Sequence, residues 1–381
     1  MVPSRGTEDR KPIIAIVTDA IHPYSLGGRE IRYHELSRYL VASADVNIYT
    51  MKWWNGPATR TEADVTFHAI TGLLPFYRHG RRSVRQALRF ALASLRLLWR
   101  PFDVLNVDHI PQFQLFTLRL VTWIRRKPLI ATWHEVWGPE YWREYMGGIG
   151  GRIAWGIELM SMRMPDHVIA ASHQTGQRLT ELVPGLPVSI SPNGIDLDGV
   201  NAAIPDPATT DLVIVTRLMA HKRIDMLLEA MALLRAEGRP VTCRIIGTGP
   251  EQESLHRIAH ELGVADLVDF RHDVREQKEV YSLLKAGRVF PFPSNREGFG
   301  IAVLEALACG LHVITTTAPD NLAQHLVARA EHGTLCDHNA RAFADAIDAA
   351  LDRGKGGSAE PWLVEYSWPA IAGGILEVLL P

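Results

Sequence analysis

Cysteine is scarce: Cys243, Cys309 and Cys336 are the only three in 381 residues, far apart and without a CxxC pair. That excludes a disulfide scaffold, supplies no zinc or redox pair, and fits a reducing compartment. No uninterrupted apolar run reaches the roughly 18 residues that a membrane-spanning helix needs. The opening MVPSRGTEDRK is polar and lacks an apolar core, so no secretory signal is expected and the chain reads as soluble and cytoplasmic. Charge of one sign is not in excess either, with 40 Lys+Arg against 42 Asp+Glu. No nucleic-acid partner is expected. Short-period repeats and low-complexity tracts are missing too, apart from a GKGGS turn at 354–358.

What is there is an ordinary globular composition, 47% hydrophobic and 22% charged, and a length that suggests two domains with sizeable cores. Short β-branched runs alternate with helical patterns from end to end. Ile13–Thr18, Val46–Thr50, Val104–Val107 and Leu129–Trp133 read as strands in the first half; Leu212–Thr216, Val241–Ile246, Val289–Phe292 and His312–Thr315 do so in the second. Continuous apolar strands separated by amphipathic helices predict α/β domains with parallel sheets covered on both faces. The stretch Asp196–Asp211 is polar, carries two prolines and reads as a linker. The formal balance is +5 over residues 1–200 and −7 over 201–381, consistent with halves that face different partners.

In parallel sheets, ligands bind beyond the carboxyl ends of the strands, where helix N-termini and backbone amides point outward. Gly27-Gly28 follows the first strand and opens a helix, a turn that lets a phosphate approach closely or is simply tight. The segment Phe290–Gly310, FPFPSNREGFGIAVLEALACG, is the most informative. Glu297 precedes Gly298, Phe299 and Gly300, whose amides suit anionic or hydroxyl oxygens, and Glu305 lies inside an apolar helical stretch where a carboxylate needs a partner. If the interval were helical, the eight steps from Glu297 to Glu305 would rise about 12 Å, separating the two carboxylates along an extended ligand. Arg217 and Lys222 flank the end of the strand at Leu212–Thr216, a forked and a point cation suited to a diphosphate. Gly247-Thr248-Gly249-Pro250 starts like a dinucleotide fingerprint, but Pro250 and Glu251 break it, which disfavours a nicotinamide oxidoreductase. The string Asp196-Leu197-Asp198 reads as loop polarity, so no metal site is expected.

Together these motifs resemble the GT-B fold retaining glycosyltransferases of family 4, also known as glycosyl transferases group 1. The resemblance covers nearly the whole chain and rests most on Glu297-x7-Glu305, then on Pro192-Asn193-Gly194-Ile195-Asp196 and Gly247-Thr248-Gly249-Pro250. It implies two Rossmann-like α/β/α domains with parallel sheets facing a central cleft. Residues 1–195 would bind the acceptor, 196–365 the nucleotide-sugar, and 366–381 would form a helix crossing back. It further implies that Arg217 and Lys222 hold the donor diphosphate, Glu305 the ribose, and Glu297 with Gly298–Gly300 the transferred sugar. Gly27 and Gly28 would approach the diphosphate from the opposite wall, with Asn193, Gly247 and Gly249 also on the donor. His134 would stand near sugar and acceptor, making His134, Glu297, Arg217 and Lys222 the catalytic set. The chain departs from the family pattern at Thr216, Arg223 and Asn106, the last standing where a histidine is often found. No metal or other cofactor is implied, the nucleotide-sugar being a co-substrate.

Between Arg78 and Arg100 there are seven arginines and no acidic residue. On a single helix, Arg78, Arg81, Arg82, Arg85, Arg89, Arg96 and Arg100 would form one stripe beside an apolar face, as suits an anionic membrane surface or a lipid-phosphate acceptor. Trp133, Trp137, Tyr141, Trp142 and Tyr145 would add sugar-stacking or interfacial contacts. The expected function is transfer of a hexosyl group from a UDP- or GDP-linked sugar to a lipid-linked or glycan acceptor in cell-envelope or polysaccharide assembly, at the inner face of the membrane. A nucleotide-sugar epimerase of the same fold and an inert sugar-binding scaffold remain as alternatives.

Overall fold

The computed structural model describes residues 10–25, 27–78, 81–354, 356–357 and 359–381. Residues 1–9 of the polar N-terminus, Leu26 beside the paired glycines, and Lys355 and Ser358 of the GKGGS turn lie outside that set. The chain divides into two compact units, Met1–Asn193 with Trp368–Pro381, and Gly194–Ser367. The sequence had suggested divisions at 195/196 and 365/366.

The first unit is built on an eight-stranded sheet. Its order is Val188–Ile190, His167–Ala170, Leu129–Trp133, Val104–Asp108, Ile13–Val17, Asp45–Lys52, Val65–Gly72 and Thr59–Glu62. All neighbours are parallel except the last pair. Ile13–Val17 shows why its sequence is apolar throughout: Ala15 and Val17 enter one core cluster, Ile14 and Ile16 another, on opposite faces. The second cluster also takes Tyr33, Leu36 and Leu40 from the helix Gly28–Leu40 and Trp368, Ile371 and Ile375 from the helix Trp368–Leu379. The end of the chain is thus held in the first unit by apolar burial, roughly 1.5–3 kcal/mol for each large side chain.

The second unit carries an all-parallel six-stranded sheet ordered Val268–Arg271, Cys243–Ile246, Leu212–Val215, Val289–Phe292, His312–Thr316 and Gly333–Cys336. Leu212, Val213, Ile214, Val289 and Phe290 are fully buried in its single core.

Two expectations need correction here. The stretch read as a featureless linker contains the helix Leu197–Ala202, because Asp196 caps it by accepting from the Gly199 amide at 2.9 Å and Val200 and Ala203 pack into the core. The arginine stripe is also not one helix. Tyr77–Arg78 and Arg81–Arg82 pair as two short antiparallel strands. The helix then runs only Val84–Ser94 and tightens to a 3-10 segment, Leu95–Trp99. Ser94 Oγ donates back to the Ala91 carbonyl at 2.6 Å, a local bond that competes with the regular ladder, and the tighter turn shifts the phase of Arg96. Arg78, Arg81 and Arg82 therefore do not share a helical face with Arg85 and Arg89.

Candidate functional site

In the second unit the chain leaves Leu212–Val215, builds outward through two strands, and returns to Val289–Phe292 on the other side of the first. This reversal of strand order is where open α/β sheets bind ligands. The two loops that leave those strands, 216–223 and 293–300, are tied together. The Asn295 amide donates to the His221 carbonyl at 3.0 Å, and Ser294 Oγ donates to the same oxygen at 3.2 Å.

On this platform Lys222 forms a short ion pair with Glu297. Lys222 is only 8% exposed, and its ammonium lies 5.3 Å from the Phe292 ring centroid. Burial alone would raise the Glu297 carboxyl; the Lys222 charge and hydrogen bond outweigh it and hold it below the usual carboxylate range. His221 is pushed down to about 4, first by burial and then by Lys222 and Arg217, so it is neutral at physiological pH. The charges of Arg217, Lys222, Arg296 and Glu297 all act on that imidazole. Arg217 is exposed and its guanidinium has no ion-pair partner among the described residues. Nothing in the sequence had singled out His221 within the segment that carries Arg217 and Lys222.

Glu297 belongs to a two-residue strand, Arg296–Glu297, paired in parallel with Asp320–Asn321. The helix that follows is Ile301–Ala308, so only the later part of the Glu297–Glu305 interval is helical and the 12 Å rise does not apply. Gly300 starts it at φ +101°, and a Cβ there would lie 2.8 Å from that of Ala323. The Phe299 ring packs at 6.0 Å from that of Tyr366. The Ile301 and Ala302 amides have no intrahelical acceptor, as at any helix start. Glu305 is half-buried and accepts from Gln277 Nε2 at 2.6 Å. Burial pushes its carboxyl up to about 8 against that bond. Gly247 and Gly249 let two loops close on each other, since a Cβ would meet the Thr216 and Leu218 carbonyl oxygens at 1.9 and 2.2 Å.

The first unit has its own reversal, at Ile13–Val17 between Asp45–Lys52 and Val104–Asp108. A buried charge network fills the strand ends. Arg29 Nη2 lies 3.2 Å from Asp19 and 2.8 Å from Glu30, and its Nε lies 3.2 Å from Asp108. Arg82 donates to Asp19 at 2.6 Å, which draws it away from any external surface role, and Gln86 donates to the same oxygen at 2.9 Å. Burial would raise Asp108, but Arg29 and a hydrogen bond from His109 hold it far below the usual range. His134 stands beside this network with its ring 5.7 Å from that of His109. Burial pushes it down to about 3, and its Nε2 is buried without a hydrogen-bond partner. Asn106 sits mid-strand, accepting from Thr132 at 3.1 Å, so the strand-end position near His134 belongs to His109.

Other expectations fare differently. A Cβ on Gly27 would lie 2.5 Å from the Glu30 carboxylate, which folds back over the start of the helix Gly28–Leu40. The protein's own anion already sits at this N-terminus, so a phosphate at Gly27 and Gly28 requires Glu30 to move. Asn193 is buried and accepts from Arg32 at 3.3 Å; the fully buried Arg32 also donates to the Pro192 carbonyl at 2.5 Å and to Ser191 at 3.0 Å. Of the aromatic stretch, Trp133 and Trp142 are buried, and Tyr145 accepts from the Arg82 amide at 2.7 Å. Glu158 accepts from the Trp137 amide and from Trp142 Nε1 at 3.0 and 2.6 Å, so these rings serve packing first.

Residues 26–198 match the family model described as Glycosyltransferase Family 4, and residues 205–359 match that described as Glycosyl transferases group 1. The chain belongs to the family 4 glycosyltransferases of GT-B fold. It is 29% identical over 205 residues to the phosphatidylinositol N-acetylglucosaminyltransferase gpi3 subunit of Schizosaccharomyces pombe, a match taking in 50% of this chain and 44% of that one. It is 28% identical over 369 residues to a human phosphatidylinositol N-acetylglucosaminyltransferase subunit, covering 91% of this chain and 69% of the relative. Against the first of these, the match spans less than half of the relative's length. Among solved structures, sucrose-phosphate synthase from Thermosynechococcus elongatus superposes with a TM-score of 0.78 at 20% identity, over 96% of this chain and 98% of that one. That likeness concerns the fold.

Proposed function

We propose that this GT-B chain is a retaining glycosyltransferase that moves a hexosyl group from a UDP- or GDP-linked sugar to a lipid-linked or glycan acceptor in cell-envelope or polysaccharide assembly. The observation that carries the reading is the Lys222–Glu297 pair at the strand-order reversal of the second unit, on two tied loops that also carry Arg217, beside a helix start with unused amides. When the sugar departs, negative charge builds on the bridging oxygen of the nucleoside diphosphate. Arg217 as a fork, Lys222 as a point charge and the first amides of Ile301–Ala308 stabilise it there without a metal ion. Glu297, kept ionised by Lys222, orients the sugar hydroxyls and favours positive charge developing at the anomeric carbon. It is already engaged by Lys222, so it is assigned to positioning and electrostatics.

Glu305 binds the ribose hydroxyls, and the acceptor is taken by the first unit, where neutral His134 offers a buried, uncommitted Nε2 to a hydroxyl group. Configuration is retained by same-face attack, with the acceptor proton leaving on the donor phosphate. The names of the two relatives, which both specify phosphatidylinositol, support a lipid acceptor and a peripheral place at a membrane. No described helix is long and apolar enough to cross one.

The test is a thermal-shift screen of UDP- and GDP-sugars, followed by product analysis with lipid and glycan acceptors in the presence of EDTA. A stabilising donor whose sugar is transferred supports the reading. Stabilisation by no donor, or conversion of a donor to its epimer without transfer, overturns it.

A further inference from the structure

The arginines that remain on the surface of the first unit line a feature of their own. An open hollow of about 710 Å³ lies between the end of the strand Val65–Gly72 and the segment that begins with the helix Val84–Ser94. Lys52, Arg89, Arg96 and Arg100 line it together with Ile70 and Leu92, and no carboxylate does. Arg96 is tied to the Ile70 carbonyl. Lys52, Arg89 and Arg100 have no acidic partner among the described residues. Four like charges around one hollow repel each other, and an anion relieves that repulsion.

Apolar surface adjoins the cations. The inner side of Val84–Ser94 is spent on the core through Ala87, Phe90 and Ala91. Val84, Leu88 and Leu92, four residues apart on the outer side, are 48%, 44% and 65% exposed, and Trp99, next to Arg100, is 78% exposed. The neighbouring helix Phe113–Arg125 packs beside this one and exposes Trp123. Single exposed leucines need no explanation, but three exposed apolar residues in a row on one helix, with exposed tryptophans on the segment after it and on the helix packed beside it, do. Cations beside such a stripe give the layout of a helix lying in a membrane interface.

We propose that this hollow is a binding site for the phosphate of an anionic lipid headgroup, held by Lys52, Arg89 and Arg100, with Leu92 and Trp99 entering the acyl boundary. The inference rests on the reading of a membrane-associated transferase and gives it a location. It also replaces the single arginine stripe expected from the sequence with a pocket that the strand end completes.

The experiment is flotation of the full chain with vesicles of phosphatidylcholine alone or mixed with phosphatidylglycerol. Binding is expected only with phosphatidylglycerol present. R89A/R100A is expected to weaken it about 30-fold, at roughly fivefold per cation, and L92S/W99S at least about tenfold, whereas R257E, a charge change in the second unit, leaves it intact. Equal binding to neutral vesicles, or undiminished binding by R89A/R100A, overturns the proposal. So does binding of soluble glycerol phosphate without vesicle binding, which would make this a site for a free phosphoester. Should the double variant fail to fold, salt decides on the unmodified chain: release between about 0.05 and 0.5 M supports the site, and indifference to salt overturns it. Donor binding, read separately by thermal shift, distinguishes failure of this surface from failure of the transferase reading.

Discussion

Replacing Glu305 with glutamine is expected to raise stability and lower donor affinity at once. Burial pushes this carboxyl from its ordinary 4.5 up to about 8. Between those values the folded state keeps a proton that the unfolded chain has released, so stability falls as pH rises through that window. At pH 7 the cost is on the order of 1–3 kcal/mol, allowing for partial exposure. Glutamine has no proton to lose. Glu305→Gln should therefore melt higher than the parent at pH 7.5, by roughly 2–4 °C per kcal/mol, and together with it near pH 5. Donor affinity moves the other way. Above about pH 8 the parent carboxyl is ionised and accepts from the ribose diol, and hydrogen bonds to a charged group contribute about 1.5–3 kcal/mol. At pH 8.5 the variant should therefore bind its nucleotide-sugar more weakly, by about tenfold or more, with the difference shrinking toward pH 6 as the parent keeps its proton. Thermal melts from pH 5 to 8.5 and calorimetric titration with the donor read the two effects separately. A variant that melts lower at pH 7.5, or binds donor at pH 8.5 as well as the parent does, would refute the reasoning.

The ion pair at the site makes a complementary case: Lys222→Ala leaves the half-buried Glu297 carboxylate without its cation and should cost about 1–3 kcal/mol, and adding Glu297→Gln should restore much of the melting temperature but none of the transfer activity. In the first unit, Asp108 is held far below its ordinary pKa, so its contribution is complete above about pH 4 and is lost as pH falls; Asp108→Asn should be less stable at pH 7, by about 3–5 kcal/mol, with a flatter acid limb in urea titrations from pH 2 to 5. Arg32→Ala strips three partners at Ser191, Pro192 and Asn193 and should lower stability by about 2–4 kcal/mol; a melting temperature equal to that of the parent would deny the clamp.

Much of the fold was legible because apolar runs in parallel sheets are buried on both faces. Leu129–Trp133 and Val289–Phe292 stand where the sequence put them, and His312–Thr316 differs from its expected bounds by one residue. Gly333–Cys336, GTLC, has no β-branched run to announce it, and Thr59–Glu62 is a polar edge strand. The arginine stripe failed because a helical wheel assumes an unbroken helix, whereas Arg78, Arg81 and Arg82 lie on two short strands before it and the turn tightens after Ser94. At the site, Glu297 and Lys222 could be picked out one at a time by position, but 75 residues separate them and their pairing belongs to the fold. Asp19, Arg29 and Asp108 went unnoticed, although a signal existed: a carboxylate directly after or ending an apolar strand, as in VLNVD, has to find a buried cation. Arg32 had none, since an arginine in the middle of a polar-looking helix reads as surface.

The account depends most on Arg217 gripping the donor diphosphate. Calorimetric titration of the nucleoside diphosphate of the stabilising donor into the parent, Arg217→Lys and Arg217→Ala chains tests it directly. A forked contact predicts loss in both variants, larger for alanine, at about tenfold or more. Equal affinity in all three would contradict it.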